Sequence, residues 1–312
     1  MTEILTSVAG EKPAAVRLTT RRREAIAGYL FILPDALGLL VFIGLPMVLA
    51  FGISFFEVDG FGSFKFVGVA NYVRMWGDPL FWTTLKTTLV FAVMLVPLLY
   101  VTGLGLALLV QRTNRFNTVM RAMFFAPQMV SLVVISLVWQ LMVVDKLGVL
   151  TRLAAAVGLG SISFLGNPNI ALFTVTIAGV WFLMGYYMLI FLGGLQDIPK
   201  EYYEAAKIDG ASPIASFWYI TLPLLRPTSF FVLLISSVAA IAGAQAFDLV
   251  YVMTRGGPAN STTLLVTYIY AQAFQYSAFG YAAAMAALLV VLMMVTTVFF
   301  FLATRGGRFD NE

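Results

Sequence analysis

Glu204-Ala205-Ala206-Lys207-Ile208-Asp209-Gly210, followed nine residues later by Ile220-Thr221-Leu222-Pro223, is the longest polar interruption between two strongly apolar runs. Its local chemistry predicts two short helices joined by a tight corner. Pro199 suits a first helical position, where its missing N–H costs nothing. Lys200 to Asp209 are mostly good helix formers, and Gly210 stands where the chain must leave the helix with φ > 0. Ser212-Pro213 restarts a helix as N-cap and first-turn proline. Pro223 and Pro227 are expected to end it before the next apolar run. The stretch reads as an elbow at a membrane surface, with Tyr202, Tyr203, Ala205, Ala206 and Phe217 available for docking.

Composition supports a membrane setting independently. Hydrophobic residues make up 61% and charged residues 11% of the 312, which excludes an ordinary water-soluble domain. There is no Cys, hence no disulfide framework, and no His, the commonest general base and metal ligand. Apolar runs occupy roughly 26–56, 84–110, 121–144, 170–195, 228–252 and 278–303. About 20 residues cross about 30 Å of hydrocarbon, so the expectation is an all-α polytopic protein with six transmembrane helices. Pro34, Pro46 and Pro97 fall inside spans, where proline is tolerated. Gly103 with Gly105, and Gly193-Gly194, read as small-residue packing positions. The polar start, 1–25, reads as a tail on the same side as residues 305–312, with residues 26–304 forming one membrane domain.

Orientation follows from Lys and Arg. With the start of the chain inside, the inner segments carry Lys12, Arg17, Arg21, Arg22, Arg23, Arg112, Arg115, Arg121, Lys200, Lys207, Arg226, Arg305 and Arg308. The outer segments carry Lys65, Arg74, Lys86, Lys146, Arg152 and Arg255, so 13 against 6 account for all 19. This puts both termini and the elbow, residues 197–227, in the cytoplasm.

Glu204-Ala205-Ala206, Gly210, Ile220 and Leu222-Pro223 stand at the spacing of the EAA loop of ABC importer permeases, and the chain resembles that family. Two outer stretches resemble the sugar-type group within it. One is Phe66-Val67-Gly68-Val69-Ala70-Asn71-Tyr72 with Asp78-Pro79-Leu80-Phe81-Trp82. The other is Phe247 to Thr254 with Gly256-Gly257-Pro258, where Arg255 replaces a usual glycine. The ending Thr304-Arg305-Gly306-Gly307-Arg308 departs from the second permease of such pairs, so the resemblance is to the first permease of a heterodimer. It implies a type I ABC importer permease fold in the bacterial inner membrane. It also implies a cytoplasmic ATP-binding subunit dimer holding ATP and Mg, a second homologous permease, an extracytoplasmic solute-binding protein, and alternating access. The coupling role falls on Glu204, Ala205, Ala206, Gly210, Ile220, Leu222 and Pro223.

The chain itself has no Gly-Lys pair and therefore no P-loop to cradle a nucleotide, so no cofactor is expected on it. Asp35 and Asp248 are the carboxylates within the apolar runs, and neither falls at mid-membrane. That disfavours a proton-driven carrier. Counting depth along the spans places Ser131, Trp181, Ser236 and Ser237 near mid-bilayer, flanked by Gln128, Tyr186 and Gln245. Hydroxyls, amides and an aromatic face suit a neutral sugar or polyol. For each of these residues, hydrogen bonding to its own helix or facing lipid is the alternative. Nucleic acid is not an expected partner. A secondary carrier and an integral membrane lipid-modifying enzyme stay open as other function classes. The enzyme lacks a ligand cluster, since Glu201, Glu204 and Asp209 are not arranged as a metal site: Glu204 is three residues from Glu201, with no third ligand near.

Overall fold

The computed structural model describes residues 20–303 except Phe61, Leu159 and Ser161. Lys12, Arg17 and the stretch Thr304 to Arg308 therefore lie outside the described residues. The chain divides into two compact units, Met1–Ala50 and Phe51–Glu312. In the first, α1 (Thr20–Leu39) begins within the expected tail and carries Pro34 in its interior. A π turn (Leu40–Gly44) then leads into α2 (Leu45–Ile53). Leu45 N–H reaches back five residues to the Leu40 carbonyl. The widened turn lets Pro46, which has no N–H to give, follow without breaking the helical run.

In the second unit a small hairpin, β1 (Phe56–Val58) with β2 (Phe64–Phe66), pairs Phe56 with Phe66 and Glu57 with Lys65. It is an addition to the all-helical expectation. After α3 (Ala70–Trp76) come α4 (Pro79–Val110), α5 (Arg115–Phe125) and α6 (Leu132–Met142). The short α7 (Val149–Ala156) precedes α8 (Pro168–Gln196). The 32 residues of α4 reach about 48 Å at 1.5 Å per residue, more than a bilayer core. α4 packs along α8, with Phe91, Leu95, Leu99, Ala178, Met188 and Phe191 fully or nearly buried between neighbouring helices. Gly103 makes that approach possible, since a Cβ there would stand 3.0 Å from Tyr187 Cβ. Gly194 does the same against Thr228, while Gly105 and Gly193 face open space.

Among the described residues four helical runs are long and apolar enough to cross a membrane: Glu24–Ile53, Pro79–Val110, Pro168–Gln196 and Phe279–Leu302. Two bent pairs, Arg115–Met129 with Leu132–Met142 and Pro213–Leu224 with Arg226–Ala242, bring the number to six if each counts as one span. The run expected to span at 121–144 is bent: α5 and its 3-10 extension (Ala126–Met129) meet α6 at 97°. Pro127 is the sequence cause, lacking the donor that would continue the helix. Gly185 of α8 admits the bend, because a Cβ there would strike the Phe124 carbonyl. The run 228–252 is likewise interrupted. α12 (Arg226–Ala242) ends at Gly243, whose N–H bonds the Ala239 carbonyl at 2.9 Å, and α13 (Ala244–Met253) starts beyond it. A side chain at Gly243 would collide with Ala239.

α14 (Leu265–Tyr270), a π turn (Ala271–Gln275) and α15 (Phe279–Ala303) complete the bundle. The far end of α15 is level with the start of α12, as the Phe230 and Phe301 rings lie 5.3 Å apart. Lys and Arg within this unit divide evenly: Arg112, Arg115, Arg121, Lys200, Lys207 and Arg226 at the elbow end, Lys65, Arg74, Lys86, Lys146, Arg152 and Arg255 at the other. The charge excess comes from the two tails.

Each end of the bundle has its own clasp. At the elbow end, the Arg121 guanidinium donates to the Val110 carbonyl at 2.8 and 3.1 Å and to those of Gln111 and Arg112 at 3.3 Å. It closes the carbonyl end of α4 with a positive charge, as helix termini favour. At the outer end, Asp78 caps α4 by accepting from Leu80 N–H at 2.9 Å. Its second oxygen accepts from Tyr268 at 2.6 Å and Tyr281 at 2.7 Å, joining α14 and α15 to α4. Asn71 donates to the carbonyls of Ser54 and Phe56, both at 2.9 Å, and fastens the hairpin. Burial by itself would raise the Asp78 carboxyl, but the bonds from Tyr268, Tyr281 and the backbone outweigh it and leave its pKa lowered.

A carboxylate held below its ordinary pKa stabilises the fold above that ordinary value, and the contribution is lost as pH falls through the lowered one. Asp78→Asn keeps an N-cap but weakens two charge-assisted bonds, so a loss of roughly 1.5–3 kcal/mol is expected at neutral pH. Thermal unfolding in lipid nanodiscs checks this. The gap from wild type should be constant from pH 8 to about 5 and shrink below about pH 4.

Candidate functional site: the elbow and the polar band

The elbow has the expected two limbs and corner. α9 (Lys200–Ile208) starts one residue later than expected, with Pro199 as its flanking cap at ψ 135. It ends in a Schellman closure. Gly210 N–H bonds the Lys207 carbonyl at 3.2 Å and Ala211 N–H bonds the Ala206 carbonyl at 2.8 Å, with Gly210 at φ +78. Ser212 caps α10 (Pro213–Ser216) by accepting from Ala215 N–H at 3.2 Å. A π turn (Phe217–Thr221) leads directly into α11 (Leu222–Leu224).

Pro223 does not itself break the second limb, which ends at Leu224, between Pro223 and Pro227 and ahead of the apolar run. Leu222 N–H reaches the Phe217 carbonyl, and Pro223 follows within the helical run. The arrangement repeats the π turn ahead of Leu45-Pro46, for the same reason. Direction changes instead at Leu225, fully buried, where the limb meets α12 at 66°. Pro227 sits in the first turn of α12, where its missing donor costs nothing.

Tyr203 OH and Thr221 Oγ1 lie 3.0 Å apart and tie the two limbs together. Tyr203, Phe217 and Leu224 pack on the main apolar core. Of the expected docking residues, then, Tyr203 and Phe217 face inward, Ala206 is half-buried, and Tyr202 and Ala205 are exposed. Four apolar side chains missed in the sequence stand outside: Ile208 at 87% exposed, Ile214, Trp218, and Tyr219 at 82%. Glu204 is exposed on the same limb, Ile220, Leu222 and Pro223 are half-buried. The signal for Ile208, Trp218 and Tyr219 was their adjacency to a polar corner, a poor place for large apolar groups unless something covers them.

The seven residues of the polar band separate into two sets. Ser131 stands at the break between α5 and α6, exposed, as the residue that starts α6, with half-buried Gln128 in the 3-10 turn before it. Gln245 is exposed just after the Gly243 break. Trp181 and Tyr186 present about two fifths of their surface, Trp181 edge-on to Trp139 at 6.0 Å. The carrying elements touch: α6 lies on α13, and both lie on α8. Ser236 and Ser237 are buried, and their hydroxyls donate to the Leu233 carbonyl at 3.2 and 2.7 Å. Depth along the helix was the basis for naming them, and rotation about the helix turns them into the protein. Among the described residues no group of three or more His, Cys, Asp or Glu could hold a metal ion.

Gly210→Ala meets open space but must adopt a left-handed backbone, so it should cost about 1 kcal/mol, felt locally. Hydrogen exchange should quicken by about fivefold at Ala211 while Leu225 and the core helices are unchanged.

Residues 99–306 match the family described as "Binding-protein-dependent transport system inner membrane component". The trehalose/maltose transport system permease protein MalF of Thermococcus litoralis is 37% identical over 242 residues, covering 77% of this chain and 81% of that one. The lactose transport system permease protein LacF of Rhizobium radiobacter is 35% identical over 276 residues, 86% of this chain and 91% of that one. A solved bacterial alginate ABC transporter, in complex with alginate pentasaccharide-bound periplasmic protein, shares the fold. Its TM-score is 0.79 at 21% identity over 93% of this chain and 97% of that one. The chain therefore belongs to the binding-protein-dependent inner membrane transport components, with the type I permease fold, and is a multi-pass transport subunit of an ABC importer and not an enzyme.

Proposed function

We propose that this chain forms half of the translocation pathway for a sugar or related polyol, beside a second homologous permease, and takes its power from a cytoplasmic ATPase dimer through the elbow. The observation that carries the coupling role is the elbow's construction. One limb ends in a Schellman closure, a side-chain bond ties it to the other, and the whole displays uncovered Tyr202, Ile208, Trp218 and Tyr219. Such a body transmits a push instead of absorbing it. Its root, Leu225, leads into α12, which is held to α8 at Gly194 and to α4 by the 2.9 Å contact of Tyr100 OH with Ser229 Oγ. Movement of the elbow thus has a direct path to three spans, as alternating access needs. ATP and Mg belong to the partner ATPase.

The sugar reading is supported by the relatives' substrates, trehalose/maltose and lactose, and by the chemistry of Gln128, Ser131, Trp181, Tyr186 and Gln245. A solute-binding protein would deliver the solute at the outer face. Residues 1–25 and 305–312 are proposed as cytoplasmic tails around a membrane domain at 26–304, with the elbow at 197–227. Neither a secondary carrier nor a lipid-modifying enzyme is favoured by the family to which the chain belongs.

Gly210→Pro cannot take positive φ, and Glu204→Lys reverses the charge of the exposed limb. In the complete transporter reconstituted in liposomes, both should insert normally and bind solute-binding protein. Uptake and solute-stimulated ATP hydrolysis should fall by at least tenfold. Wild-type uptake by the Gly210→Pro transporter would be incompatible with the coupling role.

A further inference from the structure

The outer face holds a half-open cavity of about 780 Å3 that none of the polar-band residues line. Arg74, Arg255, Asn260, Gln272, Gln275 and Tyr251 are the side chains on its wall that matter here. Among the described residues no carboxylate lines it. Arg74 stacks over Tyr281 at 4.2 Å and also borders a neighbouring hollow that contains Glu57 and Asp59. Arg255 borders a third hollow lined by Val133, Leu137 and Gln140, again without an acidic group among the described residues. Asp78, behind the lining residue Tyr268, is engaged by Tyr268 and Tyr281. The Tyr268 hydroxyl is pushed up to about 12, by burial first and then by Asp78, so it remains a donor.

Three backbone features converge on this wall. Arg255 and Asn260 on the wall are non-glycine residues at positive φ (50 and 60), and Ser277, also positive at 55, lies between the wall residues Tyr276 and Ala278 and lines the neighbouring hollow. Strain of that kind persists where the surroundings over-determine it, and it concentrates at functional sites. The π turn Ala271–Gln275, closed by Tyr276 N–H on the Ala271 carbonyl at 3.0 Å, has no proline after it, unlike the other two. Here the wide turn has no donor deficit to accommodate, and it sets Gln272 and Gln275 on the cavity wall. Tyr251 is held by stacking on Phe247 at 5.1 Å and 13°, a fixed flat face.

We infer that this outer cavity is a receiving site for an acidic saccharide, whose carboxylate meets Arg255 and Arg74 and whose ring lies against Tyr251 among the amides of Asn260, Gln272 and Gln275. The volume suits one or two sugar rings. The planar guanidinium of Arg255 suits a carboxylate held by two parallel bonds. The inference rests on the sugar reading above and narrows it to the acidic members of that class.

The test titrates the full chain in lipid nanodiscs with D-glucuronate, D-glucose or acetate at fixed ionic strength, followed by saturation-transfer NMR. D-glucuronate should bind at least about tenfold more tightly than either control, as one charge-assisted bond pair plus a stacked ring requires. Arg255→Gly relieves the positive φ and removes the charge, so the variant should fold at least as well and lose that preference. Arg255→Lys should regain part of it. Equal binding of D-glucose, equal binding of acetate, or D-glucuronate binding unchanged in Arg255→Gly would overturn the assignment. So would an Arg255→Gly effect confined to capture of the solute-binding protein by the complete transporter, which would make the cavity a socket for an acidic side chain. Binding is read without ATP or uptake, so failure here leaves the coupling reading standing. Loss of ATP-driven sugar uptake as an activity would sink the latter independently.

Discussion

A backbone carbonyl inside hydrocarbon must have a donor, because no water is there to supply one. Much of the irregularity of this bundle follows from where prolines withhold that donor. Pro46 and Pro223 are each preceded by a π turn and a leucine, so the helical run continues with its bonds shifted by one residue. Pro127 has no such turn before it, and there the chain turns through 97°. Pro34 and Pro97 lie inside continuous helices with no π turn before them, so the π turn is one way of carrying a helical run past a proline and not a requirement.

The two interruptions, at Ser131 and Gly243, fall on helices that touch, α6 and α13. Broken helices free backbone and short polar side chains at a depth where intact helices offer only apolar surface. Gln128, Ser131 and Gln245 are accessible for this reason, while Ser236 and Ser237, on an unbroken stretch of α12, are not. Trp181 and Tyr186 are exposed on the unbroken α8, so the breaks account for the accessible amides and Ser131 and not for the aromatic members of the band.

How much could be read from residue order alone follows the range of the forces involved. The elbow was legible because Gly210, Ser212 and Pro213 act through their immediate neighbours. Span number was legible because apolarity accumulates over twenty residues. The bends were not, since a hydropathy run records length without direction, although Pro127 and Gly243 were visible punctuation. The facing of Tyr203, Phe217, Ser236 and Ser237 depended on partners far along the chain. The outer cavity assembles residue 74 with residues 251–276, a juxtaposition no local pattern encodes.

The even sharing of Lys and Arg between the two ends of the bundle has a consequence for biosynthesis. A nascent chain threading from the ribosome into the translocon is oriented by cationic flanks that resist crossing. Here the loops offer no net instruction, and the cluster Arg21-Arg22-Arg23 ahead of the first apolar run supplies it. On the charge rule the side of the elbow would then be set by residues flanking an apolar run far ahead of it in the chain.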